Sequence, residues 1–215
     1  MTRVKICGIT SLDDARMAAE AGAWAIGLIF VPASERRVEV ESAAEIGADL
    51  HRKVEVAGVF ANAQLDEVAE LADLCALTLV QLHGDEGPAY CTEVARRTGA
   101  KVVKAVRARD KQSVRALGAY RDRVDFHMID AYAPDKLGGT GETFSWDLVS
   151  ERAHREVPLI LSGGITPDNA AEAIKSVEPF ALDSATGTEA APGRKDPAKV
   201  AALIRAAEHA SQAAA

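Results

Sequence analysis

Eight runs of mostly apolar residues recur along the chain, and most of them end in a small or polar residue. They are rich in Val, Ile and Leu and occupy residues 3–9, 23–30, 54–60, 77–83, 101–106, 124–130, 158–163 and 180–184. Runs such as the one that contains Leu159–Leu161 do not alternate polar and apolar positions, which is typical of parallel strands that are buried on both faces. The pattern therefore predicts eight buried β-strands.

Segments between the runs show helical spacing. Apolar side chains recur at i, i+3, i+4 and i+7 within residues 65–72 and 200–207. Thr166-Pro167 and Asp196-Pro197 each combine a capping side chain with a proline suited to the first helical turn. Strand and helix thus alternate, with no composition break that marks a linker.

This alternation predicts an α/β fold, a (β/α)8 TIM barrel forming one domain over residues 1–215. A doubly wound open sheet is the rival architecture. It is less favoured because eight units suit a closed barrel and because no GxGxxG motif follows the first run. We expect the last residues, Ala210–Ala215, to fray.

Composition narrows the class of protein. The chain has 215 residues, 48% of them hydrophobic and 27% charged, with a formal net charge of −7. We expect neither a membrane partner nor a nucleic-acid partner, because no apolar stretch is long enough to span a bilayer and no dense basic stretch stands out. The three cysteines make no metal-type cluster with the histidines, so we expect no metal. The start of the chain lacks signal-peptide zones, which favours a cytoplasmic protein.

Polar residues at the ends of the runs are the candidate chemistry, because barrels of parallel strands act at their C-terminal strand ends. Cys7 ends the first run, where a thiolate needs nearby positive charge that Lys5 is placed to supply. Asp130 ends the sixth run beside apolar residues, an environment that favours a carboxylic acid able to donate a proton. A small buried cysteine and a loop-capping aspartate are the structural alternatives.

Glycine-rich loops follow three of the runs. The loop of residues 131–141, which ends at Gly141, is long enough to suggest a lid. Loops after the seventh and eighth runs predict a phosphate site built from backbone N–H groups. The residues concerned are Ser162, Gly163, Gly164, Asp183, Thr186 and Gly187. Lys5, Arg36, Gln81 and His83 are further candidates for substrate binding, and the arginine suits a carboxylate.

Five segments together closely resemble the phosphoribosylanthranilate isomerase family. They are Lys5–Thr10 (KICGIT), Val80–Gly84 (VQLHG), Gly138–Trp146 (GGTGETFSW), Leu161–Ile165 (LSGGI) and Pro192–Asp196 (PGRKD). The resemblance spans nearly the whole chain. One departure is Ala185-Thr186, where the family usually has two serines.

The resemblance implies an isomerase of tryptophan biosynthesis that acts on a phosphorylated small molecule by an Amadori rearrangement, without a cofactor. It implies that Asp130 is the general acid that opens the furanose ring and that Cys7 is the general base that removes the C2 proton. It also assigns Arg36 to the anthranilate carboxylate. The oligomeric state stays open between monomer and homodimer.

Two alternatives remain at this stage. Another phosphosugar isomerase, of the histidine-pathway type, would use two aspartates, with Asp183 as the second. A non-catalytic phosphosugar-binding barrel would keep the glycine loops without the chemistry, and a metal-dependent epimerase is disfavoured because its ligand set is missing from the strand ends.

Overall fold

Eight parallel strands hydrogen-bond in chain order and close into a barrel, since β8 pairs back with β1. The computed structural model describes residues 1–131, 146–152, 154 and 156–213. The strands are β1 Arg3–Cys7, β2 Ala25–Ile29, β3 Glu55–Phe60, β4 Leu79–Leu82, β5 Lys101–Arg107, β6 Phe126–Asp130, β7 Leu159–Ser162 and β8 Ala181–Ser184. Each strand overlaps the run that predicted it, and the predicted TIM barrel is confirmed.

Helical segments connect the strands and cover the outside of the barrel. The α-helices are α1 Leu12–Glu20, α2 Val40–Leu50, α3 Leu65–Leu74, α4 Pro88–Thr98, α5 Lys111–Arg115, α6 Ala170–Val177 and α7 Pro197–Ala213. Short 3₁₀ helices span Ala116–Tyr120, Trp146–Glu151 and Thr186–Thr188. The two predicted helical stripes lie in α3 and α7, where Val68, Ala72, Val200 and Leu203 are buried.

One predicted helix start is confirmed and the other is wrong. Asp196 Oδ1 accepts hydrogen bonds from the backbone N–H groups of Ala198 and Lys199, so it caps α7, which begins at Pro197. The signal at Thr166-Pro167 lies ahead of the true start of α6. Asn169 holds that loop instead, because its side chain accepts from the Thr166 N–H and donates to the Gly164 carbonyl.

The expected fraying of Ala210–Ala215 is not seen over Ala210–Ala213, where α7 continues, and Ala214 and Ala215 lie outside the described residues. Ser211 Oγ donates to the carbonyl of Ala207 and accepts from the backbone N–H of Thr2 at 2.8 Å. The last turns of the helix are therefore fastened to the first residues of the chain.

Two apolar clusters lie on the two sides of the barrel wall. The interior cluster consists of Ala25, Ala57, Leu79, Val103, Ala105, Phe126, Met128, Ile160 and Ala181. The larger cluster fills the space between strands and helices. Trp24 and Phe180 pack edge to face with ring centroids 5.2 Å apart and close the interior at the N-terminal ends of the strands. The apolar filling leaves the C-terminal ends for polar residues.

A small hairpin follows β8, and the sequence patterns do not predict it. Its strands are β9 Glu189–Ala191 and β10 Arg194–Lys195, which pair antiparallel. Gly193, at its turn, has φ of 74°, which a side-chain-bearing residue rarely adopts. Within the described residues, no helix combines the length and the apolar character needed to cross a membrane.

Candidate active site

The C-terminal strand ends bring most of the predicted polar residues to one mouth of the barrel. Cys7, Asp130 and Ser162 are the last residues of β1, β6 and β7. Asp183 lies in β8, and Gln81 lies in β4 two residues before His83. The strand positions alone therefore place these side chains around one opening.

A buried ion pair joins the first and last strands. Lys5 Nζ lies 2.6 Å from Asp183 Oδ1, and the lysine side chain is fully buried. Ser162 Oγ donates to the other carboxylate oxygen, Asp183 Oδ2, at 2.9 Å. Lys5, Ser162 and Asp183, all predicted to bind substrate, are thus joined by these contacts, with the carboxylate of Asp183 at the centre. Burial lowers the pKa of Lys5, but Asp183 and Cys7 outweigh it and raise that pKa, so the lysine is charged.

The Cys7 thiol lies against the same lysine, in space left open by a glycine. Cys7 pairs with Gly27 in the register between β1 and β2. A Cβ added at Gly27 would lie 2.7 Å from Cys7 Sγ and 3.1 Å from Lys5 Nζ. Both reactive atoms therefore converge on the position that a side chain at residue 27 would fill.

The protonation of Cys7 departs from the sequence expectation of a favoured thiolate. Burial raises the pKa of the Cys7 thiol above its ordinary value. The ammonium groups of Lys5 and Lys195 lower that pKa, as expected of positive charge, but burial and the nearby Asp183 outweigh them. The thiol is therefore the dominant form in the free protein at neutral pH.

Asp130 has a histidine as its neighbour across the mouth. His83 Nε2 lies 3.4 Å from Asp130 Oδ2, an ion-pair distance. The other ring nitrogen, His83 Nδ1, lies 3.2 Å from Gln81 Nε2. Gln81 is thus placed to orient the His83 ring toward the Asp130 carboxylate. This role is in addition to any contact that the two residues make with substrate.

Arg36 is paired with a residue that the sequence patterns do not single out. Its Nε and Nη2 donate to Glu189 Oε1 and Oε2 at 2.8 and 2.9 Å. The stem of Arg36 packs on Gly8, where an added Cβ would lie 2.9 Å from Arg36 Cδ. Gly8 has φ of 75°, so backbone conformation and space both require glycine beside Cys7.

The two loops predicted to hold phosphate lie side by side. Gly163 and Gly164 have φ of 94° and 67°. Ser184 Oγ donates to the Ile165 carbonyl at 2.7 Å, and a Cβ at Gly187 would lie 2.0 Å from that same carbonyl oxygen. Glycine at 187 is therefore required for the loops to meet. The hydroxyl-bearing Thr186 is exposed beside them.

Gly141, and with it most of the predicted lid of residues 131–141, lies outside the described residues. Over the ranges 1–131, 146–152, 154 and 156–213, no group of three or more His, Cys, Asp or Glu side chains could hold a metal ion.

Glu189, Lys195 and Gly27 are the functional-site residues that sequence reasoning misses. Lys195 Nζ donates to the Ala185 carbonyl at 3.0 Å and lies 3.3 Å from Glu189 Oε1. The Pro192–Asp196 motif contained the only available signal, since it carries Lys195 without indicating a role. Glu189 and Gly27 carry no local signal, because their roles come from residues distant in sequence.

Comparison with known proteins agrees with this geometry over nearly the whole chain. A family model described as N-(5'phosphoribosyl)anthranilate (PRA) isomerase matches residues 4–206. An N-(5'-phosphoribosyl)anthranilate isomerase of Citrifermentans bemidjiense is 50% identical over 208 residues, which cover 97% of this chain and 98% of the relative.

Solved structures give the same result. Phosphoribosyl anthranilate isomerase of Thermotoga maritima superposes with a TM-score of 0.85 at 38% identity, covering 97% of this chain and all of the other. A second such isomerase was solved in complex with reduced 1-(o-carboxyphenylamino)-1-deoxyribulose 5-phosphate. It has a TM-score of 0.83 at 36% identity, with 97% and 100% of the two chains covered.

Proposed function

Because this chain belongs to the N-(5'-phosphoribosyl)anthranilate isomerase family, we propose that Cys7 and Asp130 are the acid–base pair of its reaction. The reaction is the Amadori rearrangement of N-(5'-phosphoribosyl)anthranilate to 1-(2-carboxyphenylamino)-1-deoxyribulose 5-phosphate, a step of tryptophan biosynthesis. It moves two protons within one substrate and needs no net oxidant or reductant. Two correctly placed proton-transfer groups are therefore sufficient protein chemistry.

Asp130 acts first, as the general acid. Its protonated carboxyl donates to the furanose ring oxygen while the bond from that oxygen to C1 breaks. The nitrogen lone pair forms a C1=N double bond, which leaves an open-chain iminium ion. His83, 3.4 Å from Asp130 Oδ2, orients the carboxyl for this donation.

Cys7 acts second, as the general base. Its thiolate takes the C2 proton, and the electrons of the C2–H bond form a C1=C2 double bond while the iminium nitrogen becomes neutral. The resulting enolamine gains a proton at C1 and loses one from the C2 hydroxyl, which gives the ketone. The iminium charge adds to Lys5 and Lys195 in lowering the pKa of the Cys7 thiol, so the thiol releases its proton to water once the ring has opened, and Asp130 regains a proton from water before the next turnover.

The ends of the substrate bind on the two sides of this pair. Arg36 holds the anthranilate carboxylate, because guanidinium binds carboxylate in a bidentate manner. The loops carrying Gly163, Gly164 and Gly187 hold the phosphate through backbone N–H groups. Thr186 supplies a hydroxyl next to them, and Gly141 is assigned to the same substrate-binding set.

The observation that carries the proposal is the convergence of Cys7 Sγ and Lys5 Nζ on Gly27. A cysteine with a merely structural role does not need a charged lysine brought into a buried site at the cost of desolvating it. Asp183, the second acid of the alternative histidine-pathway chemistry, is bound by Lys5 and Ser162. This pairing favours the cysteine as the base.

Two substitutions test the assignment. In Cys7→Ser and Asp130→Asn we expect kcat to fall by about 10²- to 10⁴-fold with the fold retained, because each removes one general acid or base. Both variants should still bind the reduced product analogue, and calorimetry measures this binding. Cys91→Ser is the matched control, since Cys91 is also a free buried cysteine but lies in α4.

Wild-type turnover in either active-site variant would overturn the acid–base assignment. Complementation of a tryptophan auxotroph that lacks this isomerase tests the pathway step in cells, and both variants should fail where the Cys91→Ser control succeeds. The cytoplasmic location and the choice between monomer and homodimer stay predictions.

A further inference from the structure

Glu189 is a buried carboxylate with an unusual number of partners for a residue outside the proposed acid–base pair. It begins β9, and its side chain is 6% exposed. Arg36 donates to both carboxylate oxygens, and Lys195 Nζ and the Gly193 N–H each lie 3.3 Å from Oε1. Burial opposes the charge of Glu189, but Arg36 and Lys195 outweigh it and lower its pKa. Glu189 is therefore an anion at the rim of the site.

The Arg36 guanidinium uses only one of its two donor edges for this contact. Nε and Nη2 face Glu189, which leaves the edge formed by Nη1 and the second hydrogen of Nη2. Among the described residues, Nη1 makes no hydrogen bond to another group. A carboxylate needs two coplanar N–H groups, and the remaining edge is such a pair.

Two contacts determine where this remaining edge points. Glu189 holds the guanidinium from one side, and the tight contact with Gly8 holds the stem of Arg36 next to Cys7. Because a long arginine side chain otherwise samples many rotamers, fixing it before binding removes part of the entropy that binding would cost. Contacts within the protein therefore hold the Arg36 guanidinium in place.

Charge balance also depends on Glu189. Burial lowers the pKa of Lys195 and the Arg36 charge acts in the same direction, whereas the Glu189 carboxylate raises that pKa. Glu189 lies between them and leaves the three groups with one net positive charge, which one substrate carboxylate neutralises. Lys195 in turn donates to the Ala185 carbonyl in the loop after β8, so the same residue ties the clamp to the phosphate side.

We propose that Glu189 is a positioning residue for the substrate carboxylate, which holds the Arg36 guanidinium with its outer edge toward the barrel mouth. The proposal rests on the role proposed for Arg36. It predicts that loss of Glu189 weakens binding of the carboxylated ring while the chemistry at Cys7 and Asp130 continues.

The test compares two ligands across matched variants. The ligands are the reduced product analogue and the same compound without its ring carboxyl group, and calorimetry measures both affinities. In Glu189→Gln we expect KM to rise by about 10- to 10²-fold with kcat within about 3-fold, because a charge-assisted bidentate contact is lost. The carboxylated analogue should bind more weakly by the same factor, and the compound without the carboxyl should bind unchanged.

Glu35→Gln is the control, because Glu35 is exposed, lies near Arg36 and makes no hydrogen bond to it among the contacts of Arg36. It should leave both affinities unchanged. Glu189→Asp is the second variant, which retains the charge and should show an intermediate loss. Binding of the ligand without the carboxyl reports that each variant is folded.

The outcomes distinguish the positioning role of Glu189 from the role proposed for Arg36, on which it rests. If Arg36→Met loses the preference for the carboxylated ligand and Glu189→Gln keeps it, the positioning role is wrong and the role of Arg36 stands. If both variants keep the preference, the assignment of Arg36 is itself wrong. Equal weakening of both ligands in Glu189→Gln would show a general structural role and would also overturn the proposal.

Discussion

Two buried lysine–carboxylate pairs of nearly equal length lie on opposite sides of the barrel wall. Lys5 and Asp183 are 2.6 Å apart, and Lys104 and Glu86 are 2.7 Å apart. Val103 and Ala105 belong to the interior cluster, so Lys104 between them faces outward, whereas Lys5 lies between outward-facing residues and faces inward. The same pair of charges thus occupies two different environments.

In the outer pair, Lys104–Glu86, both side chains also form hydrogen bonds with backbone groups. Glu86 accepts the N–H groups of Asn62 and Gly84 at 2.7 and 2.9 Å, and Lys104 also donates to the Gly84 carbonyl at 2.7 Å. These contacts fasten the loops after β3 and β4 to strand β5. The Lys104–Glu86 pair therefore acts as a structural clamp behind the active site.

The inner pair has fewer partners and a reactive neighbour. Within the part of the chain that the structure describes, Asp183 accepts side-chain hydrogen bonds from Lys5 and Ser162, and Lys5 lies against Cys7. Burial of a charged pair therefore does not by itself indicate function. What distinguishes the pair beside the proposed base is that part of its charge is directed at a titratable group in an open mouth.

The largest effect that we expect breaks the outer pair. Lys104→Met leaves Glu86 buried without its cation, which should reduce the free energy of unfolding by about 3–5 kcal/mol. Urea unfolding measures this change. The kcat and KM of the folded variant should stay close to wild type, because Lys104 does not face the mouth.

Lys101→Met is the matched control on the same strand. Lys101 pairs with Glu55 but is 51% exposed, so its loss should cost no more than about 1 kcal/mol. Equal losses in the Lys101 and Lys104 variants would contradict the assignment of Lys104–Glu86 as a clamp.

The sequence predicts the strands of the barrel better than it predicts which side chains pair with one another. Continuous apolar runs predict the strands because parallel strands are buried on both faces. Polar residues at the ends of the runs predict the mouth because barrels of this kind act at their C-terminal strand ends. Partner choice is a different problem. Arg36 and Glu189 are 153 positions apart, and Lys5 and Asp183 are 178 apart, so no local pattern joins them.

Local signals also fail where a distant or neighbouring contact overrides them. Thr166-Pro167 has the composition of a helix start, yet Asn169 bonds the loop in a turn and delays α6 to Ala170. The alanine-rich C-terminus looks free in sequence, yet Ser211 bonds the backbone of Thr2. In both cases a side-chain hydrogen bond decides the boundary.

A second prediction concerns a variant that breaks the inner pair, Lys5–Asp183, and its effect is measured on catalysis. Lys5→Met removes a cation that lowers the pKa of Cys7 and leaves Asp183, which raises it. An opposite charge in contact shifts a pKa by about 1–3, so kcat/KM at neutral pH should fall roughly 10²-fold. Because the proposed base is the thiolate, the limb on which kcat/KM rises with pH should move to higher pH.

The double variant Lys5→Met with Asp183→Asn sharpens that test. It removes both charges, so the limb should return part of the way toward its wild-type position. A limb that stays in place in Lys5→Met would mean that Lys5 does not act on the Cys7 thiol, whatever happens to stability.

The smallest effect concerns another buried titratable group, the His127 side chain, which has no carboxylate or backbone hydrogen-bond partner in the described part of the chain. His127 lies on β6, is fully buried, and neither of its ring nitrogens makes a hydrogen bond in the described structure. Burial lowers its pKa from 6.5 to about 4, with Arg152 and His154 acting in the same direction and Glu156 opposing them. The folded protein therefore holds this histidine neutral.

Since the folded pKa lies below the unfolded one, stability is present above about pH 6.5 and is lost as the pH falls toward about 4. Between pH 7 and pH 5 this loss amounts to about 2 kcal/mol. His127→Leu should lack that part of the pH dependence, which urea unfolding at the two pH values measures against wild type. Equal pH dependence in the two proteins would show that His127 gains a proton in the folded state as easily as in the unfolded chain. His127 would then have to acquire a hydrogen-bond partner or a water molecule when it gains a proton. Lys5 and Lys104 already have such partners, so burial alone would not explain why the histidine behaves differently from the two lysines.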